Sequence, residues 1–257
     1  MSFSVKSLTL SLTFFHMLLF SAFGQVSIAD SSIRLVTIDI TYKGGLASGD
    51  WQDRWNFVSR IGLESGVKFS SNLYLQTGIS FLFTDEVNND TGLDDLLTNQ
   101  GTLIITDEGF LSEVNVGGRG LSVPLNIGYI FPVVGPNPNS GIYLEAGGQF
   151  LLHRYNYRVI DGDASALEPP YSKGYDRQRS GIGFRQGIGY KYFANKNGVN
   201  FTIGLDFAQV PTVNNRTFFF PEGPLNGSAS FLDLFWGIKF SWTYALYREA
   251  PSKAYFY

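Results

Sequence analysis

Charged residues recur in this chain at alternating positions between large apolar ones, and they are the first candidates for chemistry. Asp39, Glu64, Glu145, Asp206 and Asp233 supply acid, and Arg60, Lys68, Arg185, Lys191 and Lys239 supply cations. The signs balance, five against five. Such groups held away from water can neutralise one another in a hydrogen-bonded salt-bridge network. Alternatively, they relay ions or protons along a narrow polar conduit. A filled, non-conducting network is the expectation here.

Catalysis is the next question. A serine nucleophile needs a neighbouring base. His153 is the one histidine left once an N-terminal segment carrying His16 is removed. Ser112, Ser122 and Ser180 could share its height, but no spacing selects one of them. A packed or solvated histidine is expected, with no catalytic residue. Cysteine is absent, so thiol and Cys/His metal chemistry are not expected. Asp85, Glu86, Asp90, Asp94 and Asp95 form an acidic loop without the spacing of a calcium-binding EF-hand. The glycine-rich stretch 181–189 lacks the Lys-Ser/Thr of a phosphate loop. No cofactor and no metal are expected.

The elements that must position these charges follow from alternation. In residues 231–242, Leu232, Leu234, Trp236, Ile238, Phe240 and Trp242 share one face, and Phe231, Asp233, Phe235, Gly237, Lys239 and Ser241 share the other. This period of two is that of a strand with lipid on one side and a polar lumen on the other. Seven further segments repeat it, near 33–43, 57–69, 73–83, 121–131, 142–153, 182–192 and 199–207. Each is roughly the length of a tilted strand that crosses the hydrocarbon. The connections alternate in length. Those at 70–72, 132–141 and 194–198 are short, and those at 44–56, 84–120, 160–181 and 209–230 are long. Transmembrane barrels keep this rhythm, with short periplasmic turns and longer extracellular loops. The fold predicted is all-β: an eight-stranded antiparallel up-and-down transmembrane β-barrel with both termini periplasmic. A barrel of this size is only wide enough to be filled by its own side chains.

Two local features leave alternatives open. Residues 102–106 and 110–116 flank the turn Asp107-Glu108-Gly109, so the second long loop either holds its own hairpin or is an extension of the strands beside it. Pro124 forfeits a ladder hydrogen bond, which suits a bulge or a locally unpaired stretch.

Composition agrees with export to a membrane. Charged residues make up 16% of the chain, against about 25% in soluble domains. The net charge of −3 carries no nucleic-acid footprint. Lys6, the apolar run 8–20 and Ala22-Phe23-Gly24 read as a signal peptide over 1–24, cleaved before Gln25. The barrel is expected over 25–242 and a periplasmic tail over 243–257. Loop contact candidates are Arg158, Lys173, Arg177 and Arg179, suited to anionic lipopolysaccharide phosphate, and Phe218, Phe219 and Phe220. That apolar tip suits a partner, the membrane surface or packing over the barrel mouth.

The segment Leu121-Ser122-Val123-Pro124-Leu125-Asn126-Ile127-Gly128-Tyr129 resembles a proline-bearing strand of the PorT-like outer-membrane β-barrel family. Ile142-Tyr143-Leu144-Glu145-Ala146-Gly147-Gly148 resembles the glycine-bearing strand after it, and Gly187-Ile188-Gly189-Tyr190 and Gly237-Ile238-Lys239-Phe240 resemble later strand ends. Ser122 stands where an acidic residue is common. The resemblance implies a Gram-negative outer-membrane location, and some relatives belong to an outer-membrane secretion system. The leading expectation is a non-enzymatic barrel whose loops or tail bind outer-membrane lipid or an envelope or secretion-system protein. The alternatives are a lipid-modifying barrel enzyme and a soluble lipocalin-like carrier.

Overall fold

A computed structural model describes residues 28–88, 92–98, 101, 103–195, 198–225 and 229–246. The strands are β1 (Leu35–Gly49), β2 (Phe57–Lys68), β3 (Leu73–Thr84), β4 (Leu103–Ile105), β5 (Leu111–Phe131), β6 (Gly141–Val159), β7 (Arg179–Tyr192), β8 (Asn200–Asn214), β9 (Phe218–Phe219), β10 (Gly223–Pro224) and β11 (Ser230–Leu246). Eight of them form one antiparallel ring in the order β1, β2, β3, β5, β6, β7, β8, β11. The ring closes where β11 returns to β1, from Val36 opposite Leu246 to Gly49 opposite Asp233. The structure is therefore an eight-stranded up-and-down barrel.

The alternation read in the sequence becomes two surfaces. On β1, Ile38, Ile40, Tyr42 and Leu46 are exposed, while Thr37, Asp39, Thr41 and Lys43 are buried. The same holds on β11, where Trp236, Ile238, Phe240 and Trp242 are each at least half exposed and Asp233, Lys239 and Ser241 are buried. The apolar band continues around the ring through Leu63, Ile79, Ile127, Leu144, Ile188 and Leu205, all exposed. A barrel with its charges sealed inside and its isoleucines, leucines and tryptophans outside has the side-chain polarity of a transmembrane barrel.

The strands next to the long connections run further than expected. β5 begins at Leu111, ten residues before the expected start, and β6 ends at Val159. Apart from Leu111 at the start of β5, the outward side chains of these extensions are polar: Glu113, Asn115, Arg119, Arg154, Asn156 and Arg158. Backbone pairing continues past the level where lipid dictates apolar side chains, so alternation marks only the lipid-facing part of a strand. Both open readings of the second long loop are realised. β4 pairs with the start of β5, Ile104 opposite Ser112, and β5 is itself the extension. At the other end, β11 continues to Leu246 rather than stopping at Trp242. The expected leader 1–24 and residues 247–257 of the expected tail lie outside the described residues.

Pro124 interrupts a ladder. Thr77 pairs with Leu125 and Ser80 with Ser122, leaving the positions between them unpaired, and the Thr77 hydroxyl donates to the Pro124 carbonyl at 2.8 Å. A second strand proline, Pro211, sits in an equivalent gap, between Gly181 opposite Thr212 and Phe184 opposite Gln209. Both prolines thus occupy positions where a missing N–H costs no ladder bond on that side.

Candidate functional site

The inward positions build three tiers. The middle tier is charged. Glu64 of β2 accepts from Lys43 Nζ at 2.7 Å and from Lys239 Nζ at 2.9 Å. Glu145 of β6 accepts from Arg185 Nη2 at 3.0 Å and from the Tyr74 hydroxyl at 2.5 Å. Arg185 Nε donates to Asp206 at 2.6 Å. These groups come from several different strands, and all are buried. Glu64 serves two other strands and Glu145 three, since Lys239 Nζ also lies 3.5 Å from Glu145, so the cluster ties opposite walls of the ring together. Breaking any member would strand a buried charge.

All ten residues expected to line the lumen are buried, but they do not form one network. Glu64, Glu145, Arg185, Asp206 and Lys239 meet at the centre. Asp39 lies apart, among the neutral donors Gln76, Thr37 and Thr243. Lys68 donates to Ser32, to the Ile33 and Phe69 carbonyls and to Asn139. Lys191 lies 4.7 Å from the centre of the Tyr74 ring. Asp233 is one tier higher, and Arg60 makes no side-chain hydrogen bond among the described residues. The expectation of a single charge network is corrected accordingly. Lys43, which completes the centre, was missed although it continues the alternation of Thr37, Asp39 and Thr41.

The upper tier closes the long-loop end. Trp51, Trp55, Val58, Leu82, Leu151, Val210 and Phe235 pack together there. Glycine at 118 makes room for Trp55, because a Cβ there would lie 2.3 Å from the indole. His153 is fully buried under these rings, its centroid 5.0 Å from Trp51 and 5.1 Å from Trp55. Its Nε2 lies 2.7 Å from Asp233 Oδ2, which also accepts from Thr212 at 2.7 Å. Its Nδ1 faces Arg54 Nη1 at 3.3 Å. Arg54 also donates to the Arg177 carbonyl at 3.0 Å, and burial pushes its guanidinium below the ordinary value. Arg54 comes from a loop, where alternation gives no signal, so the sequence reading missed it. Among the described residues, no serine hydroxyl is a hydrogen-bond partner of His153, and the ring has no open face for a substrate.

The lower tier closes the short-turn end with Ile28, Ile33, Leu35, Tyr74, Ile130, Tyr143 and Phe193. Asn139 fastens residues 28–33 into this end. Its amide donates to the Ile28 and Ser31 carbonyls, both at 2.9 Å, and its Oδ1 accepts from the Ile33 N–H at 2.9 Å.

Above the barrel the long connections share a small core of their own: Leu93, Ile104, Val114, Ala164, Leu167 and Tyr175. The loop candidates divide within this crown. Arg158, Lys173, Phe218 and Phe220 are exposed. Phe219 is 1% exposed and lies under the Arg177 guanidinium at 4.1 Å, so it is packing rather than contact surface, correcting the expectation for that residue. Arg177 pairs with Glu222, and Arg179 lies over the Phe231 ring at 3.4 Å. The basic residues therefore form no single patch. Asp176 holds Arg216 through two bonds of 2.8 and 2.5 Å, which raise the Arg216 pKa, and it lies 3.6 Å from Arg154. Two clefts open in the crown. One of about 530 Å³ is lined by Val87, Leu93, Glu113, Val116 and Ile160, and one of about 490 Å³ by Arg154, Tyr157, Glu168 and Asp176.

No protein-family model matches the sequence, and no curated protein matches it. Solved structures do. Ail of Yersinia pestis, in complex with the heparin analogue sucrose octasulfate, aligns at 10% identity with a TM-score of 0.40, covering 82% of this chain and 99% of that one. OprG of Pseudomonas aeruginosa aligns at 10% identity and 0.43, covering 87% and 100%. A major outer membrane protein of Thermus thermophilus aligns at 11% identity and 0.46, covering 82% and 99%. The class of this barrel rests on its own exterior and closed ring.

Proposed function

We propose that this protein is an outer-membrane barrel that neither conducts nor catalyses, and that it serves as a membrane-held scaffold for partner binding by its extracellular crown. The observation that carries this reading is the separate core of the long loops. A crown packed around Leu93, Ile104, Val114 and Tyr175 presents fixed surfaces, as a recognition platform requires. Apolar tiers packed at both ends of a charged centre support the non-conducting part. The burial of His153 supports the non-enzymatic part. The resemblance to the PorT-like group directs the search for partners to envelope secretion or assembly proteins, reached by the crown or by the chain beyond Leu246.

Photo-crosslinking in intact cells tests the proposal. A photoreactive residue at Phe218, Phe220 or Lys173 is expected to capture the same envelope component, and one at the buried Phe219 is not. Capture of nothing from any crown position would remove the scaffold reading. Single-channel recording of the reconstituted barrel is expected to show no conductance steps, and a steady open state would overturn the sealed lumen.

A further inference from the structure

The crown carries an apolar face well outside the lipid band. Ile105 of β4 stands opposite Leu111 of β5, so their side chains point outward together. The Phe110 ring lies against Gly162, where an added Cβ would come within 2.7 Å of it, and the Ile160 N–H donates to the Glu113 carbonyl. These contacts make Ile105, Leu111, Phe110 and Ile160 one surface, and each is at least 45% exposed. Leu121, the uppermost outward apolar residue of the lipid band on β5, is ten residues further along the strand. The outward side chains between them are Arg119, Asn115 and Glu113. On a strand tilted by about 40°, that separation is roughly 25 Å of height, too far for the face to meet hydrocarbon. Hydrogen bonds fix the face from behind. Asp107 accepts from the Ser165 N–H at 3.0 Å and from its hydroxyl at 2.5 Å, and the Asp161 N–H donates to Ser112 Oγ at 3.0 Å.

The rim of this face is acidic. Asp107, Glu108, Glu113, Asp161 and Asp163 surround it, and all five are exposed. None of them is in an ion pair among the described residues. Arg158, opposite Asn115, is the basic side chain beside them. The sequence from Asp85 to Gly118 holds eight acidic residues and no lysine or arginine. The cleft of about 530 Å³ opens next to the face and shares Glu113 and Ile160 with it, and it adds apolar Leu93 and Leu97 and the carboxylate of Asp94.

We propose that this face docks a protein segment that carries apolar side chains among lysines or arginines, with one apolar side chain seated in the cleft. The inference rests on the partner-binding reading of the crown and names the partner's chemistry. An exposed apolar surface rimmed by charge is an interaction site, and the sign of the rim selects the complementary sign. A second copy of this chain fits poorly, because it would set the same carboxylates against these. Its basic residues are also in use, Arg216 on Asp176 and Arg177 on Glu222.

The test places a photoreactive residue at Leu111 in intact cells and reads the cross-linked peptide by mass spectrometry. A peptide of net positive charge from another protein is expected. That peptide, synthesised, should bind the detergent-solubilised barrel about tenfold more weakly at physiological than at low salt. Glu113→Lys with Asp161→Lys, and separately Leu111→Ser, should each weaken it about tenfold or more, while Tyr171→Ser on the third long loop should not. Should a variant fail to fold, the wild-type cross-link and salt dependence decide. Capture of a second copy or of an acidic segment, or binding indifferent to salt, overturns the inference. Capture at Phe218 with none at Leu111 overturns it too and leaves the scaffold reading standing, whereas capture at neither removes both.

Discussion

His153 Nε2 lies 2.7 Å from Asp233 Oδ2, and neither side chain reaches solvent. Read as sequence, this histidine is the one base available to a lipid-modifying enzyme. Read in place, it is a stacked ring beneath Trp51 and Trp55 that fixes the top of the lumen.

Replacing it separates those roles. His153→Ala is expected to leave the lipid profile of the outer membrane unchanged. It should destabilise the barrel by roughly 1–3 kcal/mol, the cost of leaving a buried acceptor such as Asp233 with fewer donors. Lipid analysis by mass spectrometry and urea unfolding in vesicles read the two effects. A changed acyl pattern with unchanged stability would restore the enzyme reading.

Glu64 joins Lys43 and Lys239 at the centre of the ring. Glu64→Gln removes the charge that both ammonium groups face, and about 3–5 kcal/mol of stability should be lost, as when one partner of a buried pair is deleted. The pair formed by Arg119 and Asp85 is a control, at 3.4 Å and partly exposed. Asp85→Asn should cost about 1 kcal/mol or less. Equal effects at both sites would mean that the lumen is wetter than its packing indicates.

Gly204 leaves room for the Tyr143 hydroxyl, since a Cβ there would lie 2.6 Å from that oxygen and 2.5 Å from the Ile188 carbonyl. Gly204→Val should therefore displace Tyr143 from the lower tier and cost roughly 1–3 kcal/mol. Unfolding midpoints and Tyr143 side-chain resonances check this, and an unmoved ring would show that the lower tier has slack.

In the crown, Phe218 and Phe220 are exposed and Phe219 is buried. Phe219→Ala should speed proteolysis of the 215–229 connection several-fold, whereas Phe218→Ala should not. Limited proteolysis on whole cells distinguishes them.

Much of the barrel was legible because lipid imposes a simple code. Where hydrocarbon meets the strand, every second residue must be apolar, and Ile38, Ile40 and Tyr42 or Trp236, Ile238 and Phe240 announce it. Polarity alone placed Asp39, Glu64 and Lys239 inside. The code ends at the edge of the apolar band. The upper reach of β5, with Glu113, Asn115 and Arg119 facing out, reads as loop although its backbone is paired. Which inward charges meet depends on ring closure, and that brings Glu64 to Lys239 across 175 positions of sequence. Arg54 and Phe219 were hidden for a different reason. Their burial comes from loops folding over the mouth, and no periodicity governs those.

The central claim is that the isoleucines and leucines of the exterior face hydrocarbon while the charged residues are sealed within. The chain has no cysteine, so single cysteines can be placed and labelled with a fluorophore one at a time. In vesicles, labels at Ile40, Leu63, Ile127 and Leu205 should be quenched by brominated acyl chains and untouched by aqueous iodide, while a label at Lys173 should show the reverse. Quenching of the four exterior positions by iodide would contradict the account.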